Sequence, residues 1–210
     1  MKIIEILNNL SKTFDDTIKN WHEIDGNDIP IENLPIRRKI PDNDPFFKII
    51  LEILEANYNL WHLEDLARDP KANDTIIANV KRKIDKENQL RNDRIENFDI
   101  LFDNYLKENN IISKTEISNS ETPGSIIDRL SILSLKIYHM YEQTLRKDVD
   151  EHHINSCQEK LKILYLQRND LAKALTILVK EILNGEKRHK IYYQFKMYNN
   201  PALNPVLYKK

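Results

Sequence analysis

Apolar residues return every three or four positions along most of the chain, which is the period of an amphipathic α-helix. The first segment shows this pattern with Ile3, Leu7, Leu10, Phe14 and Ile18. The pattern and its breaks predict five helices, over about 3–21, 45–68, 73–108, 123–147 and 150–184. Thr122 and Pro123 form a typical helix start, because threonine caps free N–H groups and proline suits the first helical position. Asn184 and Gly185 form a typical helix end.

The composition agrees with this pattern. The chain has 210 residues with only 3 Gly, so folds that need repeated turns with positive φ, such as barrels and sandwiches, are disfavoured. The sequence also holds neither the glycine-rich dinucleotide motif nor a phosphate-binding P-loop. We therefore predict an all-α fold, a helical bundle of about five helices.

The same composition bears on location. No stretch of about 18 apolar residues predicts a transmembrane helix, and the N-terminus lacks the apolar core of a signal peptide. The single cysteine, Cys157, excludes an internal disulfide and falls in the apolar seam of the last predicted helix. We expect a cytoplasmic protein with no membrane span.

Proline and charge predict three parts: an N-terminal helix and Pro-rich loop (1–45), a helical bundle (46–185) and a C-terminal tail (186–210). The tail is basic and aromatic, with Lys187, Arg188, Lys190, Lys196, Lys209 and Lys210 against Glu186, and with Tyr192, Tyr193, Phe195, Tyr198 and Tyr208. Because the tail is basic and the formal charge of the whole chain is −1, residues 1–185 are acidic. We expect the tail to pack on the bundle or on a partner, and nucleic-acid binding is disfavoured.

The sequence resembles itself when it is shifted by 77 residues. Residues 60–62 (LWH) fall on 137–139 (IYH), and residues 91–93 (RND) fall on 168–170 (RND). The distance from His62 to Arg91 equals that from His139 to Arg168, 29 residues in each case. Our hypothesis is that the second and third helices and the fourth and fifth helices are duplicated αα-hairpins, packed with pseudo-twofold symmetry.

Several charged residues fall within apolar stripes. Arg91 and Arg168 are two of them, and an arginine among apolar residues is costly unless a carboxylate pairs with it. The candidate partners are Glu64, Asp65, Asp128 and Glu142. Two interpretations stay open: a structural ion-pair network, or a polar pocket for an anionic ligand, since guanidinium groups bind phosphate in a forked geometry.

The pocket interpretation has a second element. The segment 119–125 (NSETPGS) ends in a helix start, where free N–H groups attract anions and Gly124 allows close approach. The candidate ligand-binding residues are Trp61, His62, Glu64, Asp65, Arg68, Asn88, Arg91, Asn92, Ser120, Glu121, Gly124, Ser125, Asp128, Arg129, Lys136 and His139. An ordinary capped helix remains the alternative for 119–125.

Metal binding and catalysis are weaker hypotheses. His62 with Asp65 and His139 with Glu142 are i,i+3 pairs, so each histidine shares a helix face with an acid and the four could bind a divalent metal. The alternative is that each histidine bonds its neighbouring acid and packs. The candidates for acid–base catalysis are Glu64, Asp128 and His139, although no motif predicts a reaction. No cofactor is indicated, and the pattern leaves open whether the chain is an enzyme.

Several strings together resemble the DUF4254 family of bacterial proteins, in particular its Bacteroidetes branch. They are 60–68 (LWHLEDLAR), 88–93 (NQLRND), 119–129 (NSETPGSIIDR), 136–140 (KIYHM) and 193–201 (YQFKMYNNP). The similarity covers about 45–210, and the family is one of unknown function. It implies a helical domain and an association with glycosyltransferases of envelope polysaccharides.

Three functions follow as hypotheses. The first is binding, with or without processing, of a phosphorylated or nucleotide-linked sugar in polysaccharide synthesis. The second is a non-catalytic helical scaffold that partners a glycosyltransferase. The third is a metal-dependent hydrolase that uses the two histidine–acid pairs.

Overall fold

The computed structural model describes residues 2–26, 29–195, 197 and 200–208. Over these residues the fold is all-α, as predicted, with an isolated bridge between Ser118 and Arg188 and no strand. The helices are α1 (Lys2–Asn8), α2 (Leu10–Asp25), α3 (Pro45–Ala67), α4 (Asp74–Glu108), α5 (Pro123–Thr144), α6 (Glu151–Leu183) and α7 (Pro205–Tyr208). None of the helices in this part of the chain is long and apolar enough to cross a bilayer.

The first predicted helix is wrong in two respects. It divides into α1 and α2 at Asn9, whose side-chain amide donates to the Glu5 carbonyl at 3.0 Å and so competes with the regular backbone ladder. It also continues beyond position 21 to Asp25, where Gly26 adopts φ 75° and ends it. The extension brings His22 into a helix that faces the core.

The four long helices begin where local chemistry places them. The side chains of Asp44, Asn73, Thr122 and Asp150 each accept a hydrogen bond from a backbone N–H three residues later. Such caps satisfy N–H groups that have no partner inside the helix. The short helix α7 follows the bundle in the C-terminal tail and has no counterpart among the predicted helices.

The bundle is built from two antiparallel pairs, α3 with α4 and α5 with α6. Helix α5 also contacts α2, α3 and α4, and α1 packs on α6. Most of α3 is buried because apolar residues surround much of its circumference, among them Ile50, Ile53, Leu54 and Leu63. Because α3, α4 and α5 contact one another, polar side chains on these helices lie close together near the centre of the fold.

The Pro-rich loop lies across α3 and α4. Buried carboxylates hold it: Glu55 accepts from the Arg38 backbone N–H at 2.7 Å, and Glu87 pairs with the Arg37 guanidinium. Asn59 is fully buried and exchanges two hydrogen bonds with the Ile36 backbone, each 2.9 Å long. The loop backbone has no helix or strand to pair with. These buried side chains supply hydrogen bonds to it instead.

The beginning of the tail contacts the bundle. The Arg188 N–H donates to the Ile117 carbonyl at 2.7 Å, and a His189 ring nitrogen lies 3.0 Å from the Asp99 carbonyl. The Gln194 N–H donates to Glu96 Oε1 at 2.7 Å. Of the tail residues predicted to matter, Lys196, Tyr198, Lys209 and Lys210 lie outside the described residues. The division of the chain into three parts stays a prediction.

Equivalent residues of the proposed repeat make related contacts. Arg91 donates to the Asn57 side chain at 3.3 Å, and Arg168 donates to Ser134 at 3.2 Å, with both partners shifted by 77 positions. The rings of His62 and His139, which the 77-residue shift places on each other, lie 6.0 Å apart. The duplication itself stays a hypothesis until the two hairpins are superposed.

Candidate functional site

A cavity of about 370 Å³ opens between α3, α4 and α5. It contains six of the predicted binding residues, and four further residues complete its wall. The lining residues are Asn57, Leu60, Trp61, Glu64, Asp65, Arg68, Asn88, Arg91, Ile132 and Leu135. Sequence reasoning left Asn57 out of the candidate set, although its position within the apolar stripe of α3 was a usable signal.

Arg91 is the cation in the inner wall of this cavity. Its Nη1 donates to Asn57 Oδ1 at 3.3 Å, and its Nε lies 3.8 Å from Asp128 Oδ1, which is an ion pair without a direct hydrogen bond. That Nε is buried and has no hydrogen-bond partner among the described residues. One of the four candidate carboxylates, Asp128, therefore pairs with Arg91, but it leaves part of the guanidinium's donor capacity unused.

Asp128 lies next to the cavity and is held by Asn57. The Asn57 amide donates to Asp128 Oδ1 and to Ser131 Oγ, both at 2.7 Å. Burial raises the pKa of Asp128, while the charge of Arg91 and the Asn57 hydrogen bond act in the opposite direction. Asp128 is thus a carboxylate in a partly desolvated position, which is the environment that tunes acid–base groups.

The outer part of the cavity carries a second charged group. Arg68 pairs with Glu64 at 2.5 Å, as the i,i+4 spacing predicts, and also donates to the Glu64 carbonyl at 2.7 Å. Asp65 is exposed as a whole residue, but desolvation of its carboxyl raises its pKa, with the charge of Glu64 and against that of Arg68. The rim therefore offers both a cation and two carboxylates.

The structure places several predicted binding residues outside this cavity. Arg129 and Lys136 lie on another face of α5, in a groove of about 710 Å³ between α5 and α6. Arg129 is paired with Glu121. Asn92 is buried, Ser120 is exposed, and neither contributes to the cavity wall. The sequence predicted one pocket. The structure instead has two separate openings, because the charged residues of α5 do not all lie on one face of that helix.

The predicted anion site at the start of α5 is already filled by the chain itself. The Gly124 N–H donates to Asp99 Oδ1 at 2.9 Å, and the Ser125 N–H donates to Thr122 Oγ1 at 3.1 Å. A Cβ at Gly124 would lie 2.7 Å from the Ile95 carbonyl oxygen, so this glycine allows α4 and α5 to approach. Burial raises the pKa of Asp99, against hydrogen bonds from Thr122 and Gly124.

Arg168 has a partner that the sequence did not suggest. Its guanidinium pairs with Asp15 of α2, through Nη1 and, at 3.0 Å, through Nη2. The expected partners Glu64, Asp65, Asp128 and Glu142 are not used. The reason is that α2 packs against α5 and α6 and brings Asp15 to the buried arginine.

A second polar cluster lies beside the cavity. His22 of α2, His62 of α3 and His139 of α5 place one ring nitrogen each within 4.8 Å of one another. Of the four predicted metal ligands, His62 and His139 join this cluster, and Glu142 bonds His139 Nδ1 at 2.8 Å. Asp65 instead lines the cavity. His22 was missed because the predicted first helix stopped one residue before it.

The surroundings of this cluster keep its histidines neutral. Burial lowers the pKa of His62 to about 3 and that of His139 to about 4, and it also lowers the pKa of His22. Nearby, Arg38 pairs with Asp25 and lies over the Trp21 and Tyr58 rings at 4.3 Å and 4.7 Å. Tyr138 stacks on His22 with ring centroids 4.1 Å apart.

These features define an all-α bundle with a charged cavity next to a buried histidine cluster. The family model described as "Protein of unknown function (DUF4254)" matches residues 48–191, and the chain belongs to this family. The matched region spans the cavity and two of the three clustered histidines, whereas His22 precedes it. The chain matches no curated protein and no solved structure.

Proposed function

We propose that the cavity between α3, α4 and α5 binds a small anionic ligand of the phosphorylated or nucleotide-linked sugar class. The observation that carries this proposal is Arg91, a guanidinium in the cavity wall whose Nε is buried without a hydrogen-bond partner among the described residues. Its carboxylate, Asp128, stands 3.8 Å away. The Arg91 side chain as a whole is 25% exposed, so a phosphate in the cavity can accept from the donors that this guanidinium has left over.

The rest of the lining supports the sugar class. Trp61 supplies an aromatic surface on which a sugar ring or a base can pack. Glu64 and Asp65 supply acceptors for hydroxyl groups, and Arg68 supplies a second cation at the rim. The volume of about 370 Å³ falls within the range of roughly 300–1,000 Å³ that is usual for small-molecule pockets.

A thermal-shift and calorimetry series tests this proposal. The ligands are inorganic phosphate, sugar 1-phosphates and nucleotide sugars, each measured on wild type, Arg91→Met and Lys136→Met. Lys136 is the matched control because it is a cation on the same bundle that lines the separate α5–α6 groove. We expect one of these ligands to raise the melting temperature of wild type and of Lys136→Met but not that of Arg91→Met.

Two outcomes would overturn the proposal. One is that no anionic ligand shifts the melting temperature of wild type. The other is that Arg91→Met binds the ligand as well as wild type does, because Arg91 would then belong only to a structural ion-pair network.

The wider setting stays a prediction that rests on the family resemblance. It comprises a bacterial, cytoplasmic role in envelope polysaccharide synthesis and, as the alternative to ligand binding, a scaffold that partners a glycosyltransferase. Co-purification of the chain with a glycosyltransferase, unchanged by Arg91→Met, would favour the scaffold. The hydrolase hypothesis uses His62, Asp65, His139 and Glu142 as metal ligands. It loses support because Asp65 lies with Arg68 in the cavity wall.

A further inference from the structure

The histidine cluster leaves three buried nitrogens unsatisfied in one place. The Nε2 atoms of His22, His62 and His139 are each buried, and none has a hydrogen-bond partner in the part of the chain that the structure describes. One ring nitrogen from each residue lies within 4.8 Å of the other two. Folded proteins leave only a few buried polar atoms unsatisfied per hundred residues, and three on neighbouring rings call for a common explanation.

The other ring nitrogens fix the orientation of two of these imidazoles. His22 Nδ1 lies 2.8 Å from the Ile18 carbonyl oxygen, so it carries the proton and donates. His139 Nδ1 lies 2.8 Å from Glu142 Oε2 and donates to that carboxylate in the same way. In a neutral ring this leaves the lone pair on Nε2. A histidine that donates from one nitrogen to a carbonyl or a carboxylate is the usual supporting arrangement for a metal ligand.

We propose that His22, His62 and His139 bind one divalent transition-metal ion of the zinc class through their Nε2 atoms. Three neutral imidazoles suit zinc, cobalt and nickel far better than magnesium or calcium, which prefer oxygen ligands. Zinc–nitrogen bonds of about 2.0–2.1 Å place tetrahedral ligand atoms about 3.4 Å apart. The rings therefore close by up to about 1.4 Å on binding, from the 4.8 Å limit that bounds the cluster.

The charges around the site are compatible with an added cation. Glu142 provides a carboxylate on His139, and Asp25 neutralises the nearby Arg38. Three histidine ligands leave a fourth position of a tetrahedral ion for water or for another ligand. The proposed metal ligands are different residues from Glu64, Arg68 and Arg91 of the cavity wall, so the metal proposal does not rest on the proposed ligand binding, although Trp61 of the cavity stacks on His139.

Metal titration of the untagged full chain tests this inference. The protein is treated with a chelator, dialysed and titrated with Zn²⁺ by calorimetry and with Co²⁺ by visible absorption. We expect one equivalent to bind, a higher melting temperature with Zn²⁺, and the intense absorption bands of tetrahedral Co²⁺. Glu142→Gln should weaken binding by about 10- to 100-fold without removing a ligand.

The variants distinguish this site from other histidines. His22→Gln, His62→Gln and His139→Gln should each abolish the one-equivalent binding while circular dichroism shows that they remain helical. The matched controls are His153→Gln and Cys157→Ser, because His153 Nε2 and Cys157 Sγ lie 3.5 Å apart and offer another pair of possible metal ligands. These controls should bind as wild type does.

Three results would overturn the inference. They are a wild-type chain that binds no zinc-class ion, variants of the cluster that still bind one equivalent, and loss of binding in the His153 or Cys157 control. The first of these would leave a buried water as the partner of the three nitrogens. Ligand binding in the cavity is measured separately on the same proteins, so failure of one proposal does not decide the other.

Discussion

The indole of Trp61 lies flat on the imidazole of His139, with ring centroids 4.6 Å apart and planes 7° from parallel. Trp61 also lines the charged cavity, whereas His139 belongs to the histidine cluster. One aromatic side chain therefore contacts both candidate sites. A change on either side of this ring pair alters the environment of the same indole.

The emission of Trp61 should report on both sites. The chain has two tryptophans, so a Trp21→Phe background isolates Trp61. We expect Co²⁺ to quench this emission up to one equivalent, and we expect a ligand that raises the melting temperature to shift it. Adding His22→Gln should remove the response to Co²⁺ and keep the response to the ligand. A stabilising ligand that leaves the emission unchanged would place its site away from Trp61.

The ion pair between buried Arg168 and half-buried Asp15 should contribute strongly to stability. The Arg168 side chain is 6% exposed and that of Asp15 is 42% exposed. Asp15→Ala leaves a buried guanidinium without its carboxylate. We expect it to lower the free energy of unfolding by about 2–3 kcal/mol, less than the roughly 3–5 kcal/mol of a fully buried pair because Asp15 reaches solvent. Arg168→Met should cost less, since it removes the charge that needs a partner.

Urea denaturation measures both effects. Asp16→Ala is the matched control because Asp16 is the exposed neighbour of Asp15, and surface substitutions usually change stability by less than about 0.5 kcal/mol. If Asp15→Ala and Asp16→Ala cost the same, the ion pair contributes nothing to stability.

The helices could be predicted from the sequence because their signals are local. The caps at Asp44, Asn73, Thr122 and Asp150 act over three residues, and apolar periodicity shows which face is buried. The need of Arg91 for a carboxylate could be predicted too, because an unpaired charge in an apolar stripe is costly, but Asp128 was only one of four candidates.

The remaining contacts depend on how distant segments dock. Asp15 is 153 positions from Arg168, and nothing in the pattern of α2 specifies that neighbour. His22 joins His62 and His139 only because α2 runs beyond its predicted end and packs against α5. The carboxylate of Asp99 fills the helix start that was expected to attract a ligand. Tertiary packing, which no single segment encodes, decides each of these cases.

Gly124→Ala should destabilise the bundle, although alanine is the better helix former. The added Cβ would lie 2.7 Å from the Ile95 carbonyl oxygen and 3.1 Å from the Asp99 carboxyl. Because the first of these is backbone, α4 and α5 must separate, and overpacking of this kind costs about 1–3 kcal/mol. The midpoint of urea denaturation measures the change. A midpoint for Gly124→Ala that is no lower than that of wild type would show that the helices do not need this close approach.

Asp128→Asn should flatten the pH dependence of stability. Burial raises the pKa of Asp128 above 3.8, so at a pH between the unfolded and the folded pKa the native state binds more protons than the unfolded state. The contribution of Asp128 to the free energy of unfolding therefore increases as the pH falls through that range and decreases as the pH rises. An asparagine does not titrate, and its side-chain oxygen can still accept the Asn57 hydrogen bond that Asp128 accepts at 2.7 Å.

The measurement is the difference in free energy of unfolding between Asp128→Asn and wild type across the acidic range. We expect Asp128→Asn to be favoured at neutral pH, where wild type buries a charge, and its advantage to shrink as pH approaches 3.8. Asp16→Asn, which changes an exposed carboxyl, should show no comparable trend. A difference that grows on acidification would mean that the Arg91 charge outweighs burial. A stabilised Asp128→Asn that has lost affinity for the cavity ligand would show a carboxylate retained for function at a cost in stability.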